Sequence, residues 1–233
     1  MCSLASGACT TRTSGSGRSS ERRGSPGSDP DVRHGRRTSA PSRIGRDVRG
    51  RGIKKARRRR AVIVFVDESG FSLIPYVAKT WAPVGQTPVL THQGRWPKFS
   101  AISGVTPRGK LFFRMHQKTV NGVRAVAFLR HLLRHIRRRP ILIFWDNGQP
   151  HRSKLLKAFL HDHPRLEVHR FPGYSPELNP DEWVWSYLKK HELASSAPHD
   201  LPELRGNLRR AVTRMRVRPS LIRSFYRATP LAG

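Results

Sequence analysis

Cysteine is nearly missing from this sequence: only Cys2 and Cys9 occur, both within the first ten residues. Two thiols at one end of a chain build neither a disulfide framework nor a structural zinc site. Long hydrophobic runs are missing too. The longest are AVIVFV (61–66) and ILIFW (141–145), far short of the roughly 20 apolar residues that cross a bilayer. The N-terminus has no apolar stretch of the kind a secretory signal needs. Acids are scarce, with 15 Asp plus Glu against 45 Lys plus Arg, a formal net charge of +30 over 233 residues. Self-repulsion of that size opposes compaction, and its natural relief is a polyanion, most commonly nucleic acid. These absences describe a cytoplasmic, polyanion-binding chain of about one domain by length.

Aromatics are absent from residues 1–60, and all 10 Phe, 5 Trp and 4 Tyr fall at residue 65 or later. The same stretch holds 17 basic and 4 acidic residues, a net of +13, among many Ser, Gly, Thr and Pro. Such a composition cannot bury enough apolar surface to offset chain entropy. Residues 1–55 are therefore expected to be a disordered Arg/Ser/Gly-rich segment, and residues 56–228 a folded domain. The first segment reads either as a basic arm for phosphates or as an appendage without a selected role; composition leaves both open. The remaining residues carry 28 basic and 11 acidic side chains, a net of +17, with apolar runs enough for one packed core.

AVIVFV (61–66) is a β-branched run without a polar break, which suits a strand buried on both faces. It is expected to end at Asp67-Glu68-Ser69-Gly70. Residues 79–84 suggest a short strand limited by Pro83. Residues 99–106 and 110–115 flank Pro-Arg-Gly and read as a β-hairpin. From Asn121, a candidate N-cap, Val126, Leu129, Leu132, Leu133 and Ile136 recur at helical spacing up to Pro140. ILIFW (141–145) is a second buried strand, and it too runs into an acid, Asp146. Residues 152–161 predict a helix and 166–171 a strand. Further helices are expected over 181–193, 201–215 and 219–227. The order predicts an α/β fold, a mixed sheet with helices on its faces.

In a chain so poor in acids, their placement is informative. Asp67 and Asp146 each follow an apolar strand. If those strands are parallel neighbours, both carboxylates emerge at the sheet edge where open α/β sheets place ligands. Glu182, on a later helix, can pack beside the same edge. Three carboxylates together repel one another and raise a pKa unless a cation intervenes. Mg²⁺ takes oxygen ligands from a few carboxylates and from substrate phosphates, and two such ions suit phosphodiester chemistry. The plainer reading of each Asp alone is a turn former or a helix cap.

The blocks FVDESGFSLIP (65–75), TWAPVGQTPVL (80–90), AISGVTPRGKLFF (101–113), IFWDNGQPHRS (143–153) and FPGYSPELNPDEWVWSYLKKHEL (171–193) stand in that order. Together they resemble the catalytic domain of bacterial mariner-like transposases, the insertion-sequence 630 family within the DDE superfamily. The resemblance runs from about residue 55 to about 228; YSPELNPDEWVWSYLK is its most specific piece. It implies an RNase H-like fold, with the first acid ending the first strand, the second ending the fourth, and the third on a helix after the Leu-Asn-Pro turn. Position by position these are Asp67, Asp146 and Glu182, as catalytic residues and metal ligands. Spacing alone leaves Asp181 open as the third acid; the motif favours Glu182 and makes Asp181 a first-turn dipole residue. The resemblance further implies Mg²⁺, with Mn²⁺ as substitute and two ions. It implies double-stranded DNA as substrate and target, a homodimer in the DNA complex, and a place in the bacterial cytoplasm by the nucleoid. The implied reaction is metal-dependent hydrolysis at the element's end followed by strand transfer.

Other residues carry weaker signals. Glu68 follows Asp67 directly, and on a strand its side chain points the other way, a structural reading. His151 matches an Asp-x-x-x-x-His pattern and reads equally as a phosphate contact or a structural hydrogen bond. Trp183, Trp185 and Tyr187 share one helix; stacking on bases is one role and packing under the sheet the expectation for Trp185. Arg57–Arg60 and Arg137–Arg139 are solvated runs or phosphate contacts. Residues 1–60 show no apolar periodicity for the helix-turn-helix that full-length relatives carry. A split or truncated transposase, a non-catalytic DNA-binding remnant and a nuclease on RNA–DNA hybrids are the rival readings.

Overall fold

Two apolar strands form the middle of a five-stranded sheet. The computed structural model describes residues 52–76, 82–84, 86, 89, 97–146, 153–172, 175–194 and 196–232, all within the compact unit spanning 39–233. After a short helix α1 (Lys54–Arg58), the strands are β1 (Val62–Ser72), β2 (Lys98–Val105), β3 (Leu111–His116), β4 (Ile141–Trp145) and β5 (Leu166–Arg170). Their order across the sheet is β3-β2-β1-β4-β5. β1 is parallel to β4, which is parallel to β5, while β2 and β3 are antiparallel.

Side chains alternate across a strand, so β1 feeds two cores. Phe65 and Phe71 join one cluster with Val184, Leu208 and Ile222; Val64 and Val66 join the other with Val126, Leu129 and Phe159. On the first face lie α4 (Pro180–Tyr187), α5 (Leu201–Arg216) and α6 (Pro219–Arg227). On the second lie α2 (Gly122–His135) and α3 (Lys154–His161). No helix among the described residues is long and apolar enough to cross a membrane.

Most sequence expectations hold, and the departures have physical causes. Asn121 caps α2 by accepting from the Arg124 amide at 3.1 Å. That helix ends at His135 rather than at Pro140, and Arg138 takes a left-handed φ of 61° on the way into β4. β1 does not stop at Asp67. It runs on to Ser72 because its other edge stays paired with β2, from Phe65↔Val105 to Ser72↔Lys98. The acids of 67–68 thus lie inside a strand. Of the strand expected over 79–84, residues 79–81 lie outside the described residues and 82–84 form none. α1 was not anticipated; Lys55 and Arg59 place it against β5 through Glu167, at 2.5 and 2.9 Å.

Candidate active site

The parallel ladder between β1 and β4 ends at Val66↔Trp145. Asp67 and Asp146 are the next residue on each strand, so two carboxylates emerge side by side where the ladder stops. Oxygens of Asp67, Glu68 and Asp146 lie within 4.8 Å of one another. Glu68 enters this group against the sequence expectation. Alternation sets the direction of Cβ, but β4 has ended here, and a side chain as long as Glu reaches around the open edge.

The group carries the signature of buried carboxylates with like charge beside them. Burial raises the Asp67 pKa from its usual 3.8 to about 7, and the charge of Glu182 adds to the rise. The Trp185 indole N–H donates to Asp67 Oδ2 at 2.9 Å and opposes it. Glu68 is pushed up to about 8 by burial and then by Asp67. Trp185 itself is buried beneath the sheet, edge-on to Phe71, as expected of it, while Trp183 stays 45% exposed.

The third acid is set by the start of α4. Asn179 caps the helix, accepting from the Asp181 amide at 3.1 Å, and Pro180 opens it. Proline at this position loses no hydrogen bond. Asp181 and Glu182 then diverge. Asp181 is fully buried and accepts from the Ser103 hydroxyl of β2. It stands in the first turn, as expected from the sequence, but buried, and burial lifts its pKa well above the usual carboxylate value. Glu182 faces outward. Its pKa is raised by burial and by the charge of Asp146, so it shares a field with the edge acids without joining the tight group.

Lys189 was missed from the sequence. Its ammonium donates to Ser69 Oγ at 2.7 Å and lies 5.5 Å above the Phe71 ring. Burial lowers its pKa, and the charges of Glu182 and Asp67 work against that. The available signal was spacing: seven residues after Glu182 is two helical turns, hence the same face. His151 lies outside the described residues.

The donor set consists of carboxylate oxygens, with no thiolate or imidazole in the group. That chemistry fits a hard divalent cation such as Mg²⁺ or Mn²⁺ rather than zinc or copper. A cation here offsets the burial, and the repulsion added to it, that raise the Asp67 and Glu68 pKa values.

The sequence profile described as DDE superfamily endonuclease matches residues 62–205. No curated protein matches the sequence. Among solved structures, the Mos1 strand transfer complex aligns with a TM-score of 0.52 at 20% identity, covering 79% of this chain and 61% of that one. The catalytic domain of Mos1 mariner transposase aligns with 0.51 at 16%, covering 76% and 80%. The Mos1 paired end complex with Mg aligns with 0.55 at 18%, covering 82% and 59%. This chain therefore spans about three fifths of the transposase chains in those complexes. The likeness shows the fold, and it is the RNase H-like sheet implied by the sequence.

Proposed function

The chain belongs to the DDE superfamily endonucleases, and from that premise we propose that it is a transposase catalytic domain cutting and joining DNA at the edge of β1 and β4. The observation that carries the reading is the meeting of Asp67, Glu68 and Asp146 where the parallel ladder ends, with Glu182 within electrostatic reach. The catalytic domain comprises about residues 56–228, as a bacterial insertion-sequence transposase of the mariner-like kind.

Asp67, Asp146 and Glu182 would hold divalent metal, Mg²⁺ or Mn²⁺, in the two-ion form that suits phosphodiester chemistry. Bound there, the metal supplies charge neutralisation at the phosphodiester and lowers the pKa of water. The protein's own groups do the rest. The Trp185 N–H holds Asp67 in one rotamer and favours its charged form. The anchoring of Asn179 and Asp181 fixes the start of α4, and so the direction from which Glu182 faces the edge. Lys189 offsets part of the negative charge and presents a cation to an approaching phosphate. The substrate is double-stranded DNA, cut at the element's ends and then joined to target DNA by the freed 3′-hydroxyl. A homodimer acts in the complex.

The test is nicking of DNA carrying candidate element ends, with and without Mg²⁺ or Mn²⁺. Cleavage should require the metal, and Asp146→Asn should slow it by on the order of 10³-fold, the scale of losing one preorganised electrostatic group. An Asp146→Asn chain that cuts as fast as the parent would sink the assignment.

A further inference from the structure

We propose that a basic groove beside the acid edge, between the end of β3 and α5, holds the phosphates of one DNA strand flanking the cleavage point. The proposal rests on the endonuclease reading above. The groove encloses about 960 Å³ and is lined by Phe99, Lys118, Arg124, Arg205, Gly206 and Arg209, among others. A smaller cavity of about 370 Å³ is lined by Glu68, Ser69 and Lys98 and shares Phe99 with it. The smaller cavity borders Glu68 of the acid edge, and the larger, near the start of β2, holds four cations. A hollow of this size is on the scale of a ligand pocket. It takes the backbone of one strand.

Of the four cations, Arg124 donates to the Thr119 carbonyl oxygen at 2.6 Å. No carboxylate among the described residues pairs with the other three, Lys118, Arg205 and Arg209, whereas Arg214 on the same helix as the two arginines is bound to Glu192. The two acids at the start of α5 are spent on its cap. Asp200 accepts from the Glu203 amide at 2.7 Å, and Glu203 accepts from the His199 amide at 2.8 Å. Glu203 also lies on the opposite side of the helix from Arg205 and Arg209, which are one turn apart.

Gly206 is an independent sign of the same use. It sits inside a 16-residue helix, where glycine costs about 1 kcal/mol relative to alanine. Its φ is not in the left-handed region, where only Gly109 among the described glycines falls. A Cβ there would meet only Arg210 Nη1, at an ordinary 3.7 Å. Neither backbone nor packing demands the glycine. What its missing side chain does is keep the groove open beside Arg209.

The experiment measures binding of a fluorescent DNA oligonucleotide, single-stranded and duplex, to the full chain in chelator across a salt series. Removing two phosphate contacts flattens the dependence of log affinity on log salt by about 0.7–0.9 per contact. The Arg205→Gln/Arg209→Gln chain should therefore lose about 1.4 or more from that slope. The exposed pair Arg223→Gln/Arg227→Gln on α6 removes equal charge elsewhere and should lose less than half as much. Gly206→Glu, which the helix accommodates, should weaken binding at least about tenfold, and the neutral Gly206→Gln should move it the same way by less. Circular dichroism confirms folding of each. Equal slopes for the two double variants, or parental binding by both Gly206 variants, overturn the groove. Parallel cleavage assays separate the two readings. Variants that shift binding in a chain that never cuts leave the groove standing and sink the endonuclease; cutting with unmoved binding does the reverse.

Discussion

Asp67 combines burial, a hydrogen bond and like charge, and each has a measurable consequence. Its pKa is about 7 and that of Glu68 about 8, both raised above their values in the unfolded chain. Between about pH 4 and 8 the folded chain therefore holds protons the unfolded chain has released, so raising the pH through that window lowers stability. A divalent ion binds the deprotonated carboxylates and should offset this loss at the alkaline end. Thermal unfolding should thus show Mg²⁺ or Mn²⁺ raising the Tm at pH 8 and leaving it nearly unmoved at pH 5. An equal rise at both would contradict metal binding by these carboxylates. Trp185→Phe keeps an aromatic, though smaller, ring and removes the N–H bound to Asp67. Since that bond lowers the Asp67 pKa, its loss should raise the pKa further and weaken Mn²⁺ binding at neutral pH by about 10–100-fold, the range for outer partners of metal ligands. Titration calorimetry reads this directly. At this scale Asp67 and Asp146 were legible because each follows an apolar run in a chain poor in acids. Glu68 was not, because alternation predicts Cβ direction and says nothing about where a neighbouring strand stops. Nor was Asp181, whose burial depends on Ser103 of a distant strand.

Elements read from the sequence held best where one local rule governed. β4 runs over Ile141–Trp145 as an apolar run bounded by Pro140 and Asp146. The hairpin of β2 and β3 formed around Pro107-Arg108-Gly109, and its glycine is required. Gly109 has φ 89°, and a Cβ there would lie 2.4 Å from the carbonyl oxygen of Pro219 at the start of α6. Gly109→Ala should cost about 2 kcal/mol or more, through left-handed strain and displacement of α6 from the hairpin. Urea unfolding should show a lower midpoint, and a variant as stable as the parent would show that this contact is loose. β1 was misjudged at its end for the opposite reason. Asp67-Glu68-Ser69-Gly70 looks like a turn by composition, yet pairing with β2 carries the strand through it. Tertiary partners decided the boundary, and no local signal reported them. The same holds for α1, five residues long and held by Glu167.

Across the molecule, the net +30 is interrupted by a few carboxylates gathered at one edge. The sequence showed the excess of bases plainly, and the sheet brings three of the few acids, Asp67, Glu68 and Asp146, together at one edge. Concentration has an electrostatic consequence for DNA. Without metal, the edge repels the phosphate that must approach it, while the surrounding cations attract the flanking phosphates. A phosphate held by its neighbours about 4 Å from an unneutralised carboxylate is disfavoured by roughly 1 kcal/mol even at the dielectric of water. Removing that charge should therefore strengthen binding, by about fivefold for each such kcal/mol. At pH 8 in chelator, the Asp67→Asn/Asp146→Asn chain should bind DNA more tightly than the parent. Added Mg²⁺ should tighten the parent and hardly change the variant, closing the gap, because only the parent keeps both carboxylates to hold the ion. Fluorescence anisotropy at fixed ionic strength separates this from general screening. If the variant in chelator binds no better than the parent, DNA does not approach this edge, and the acids serve the fold rather than the cut.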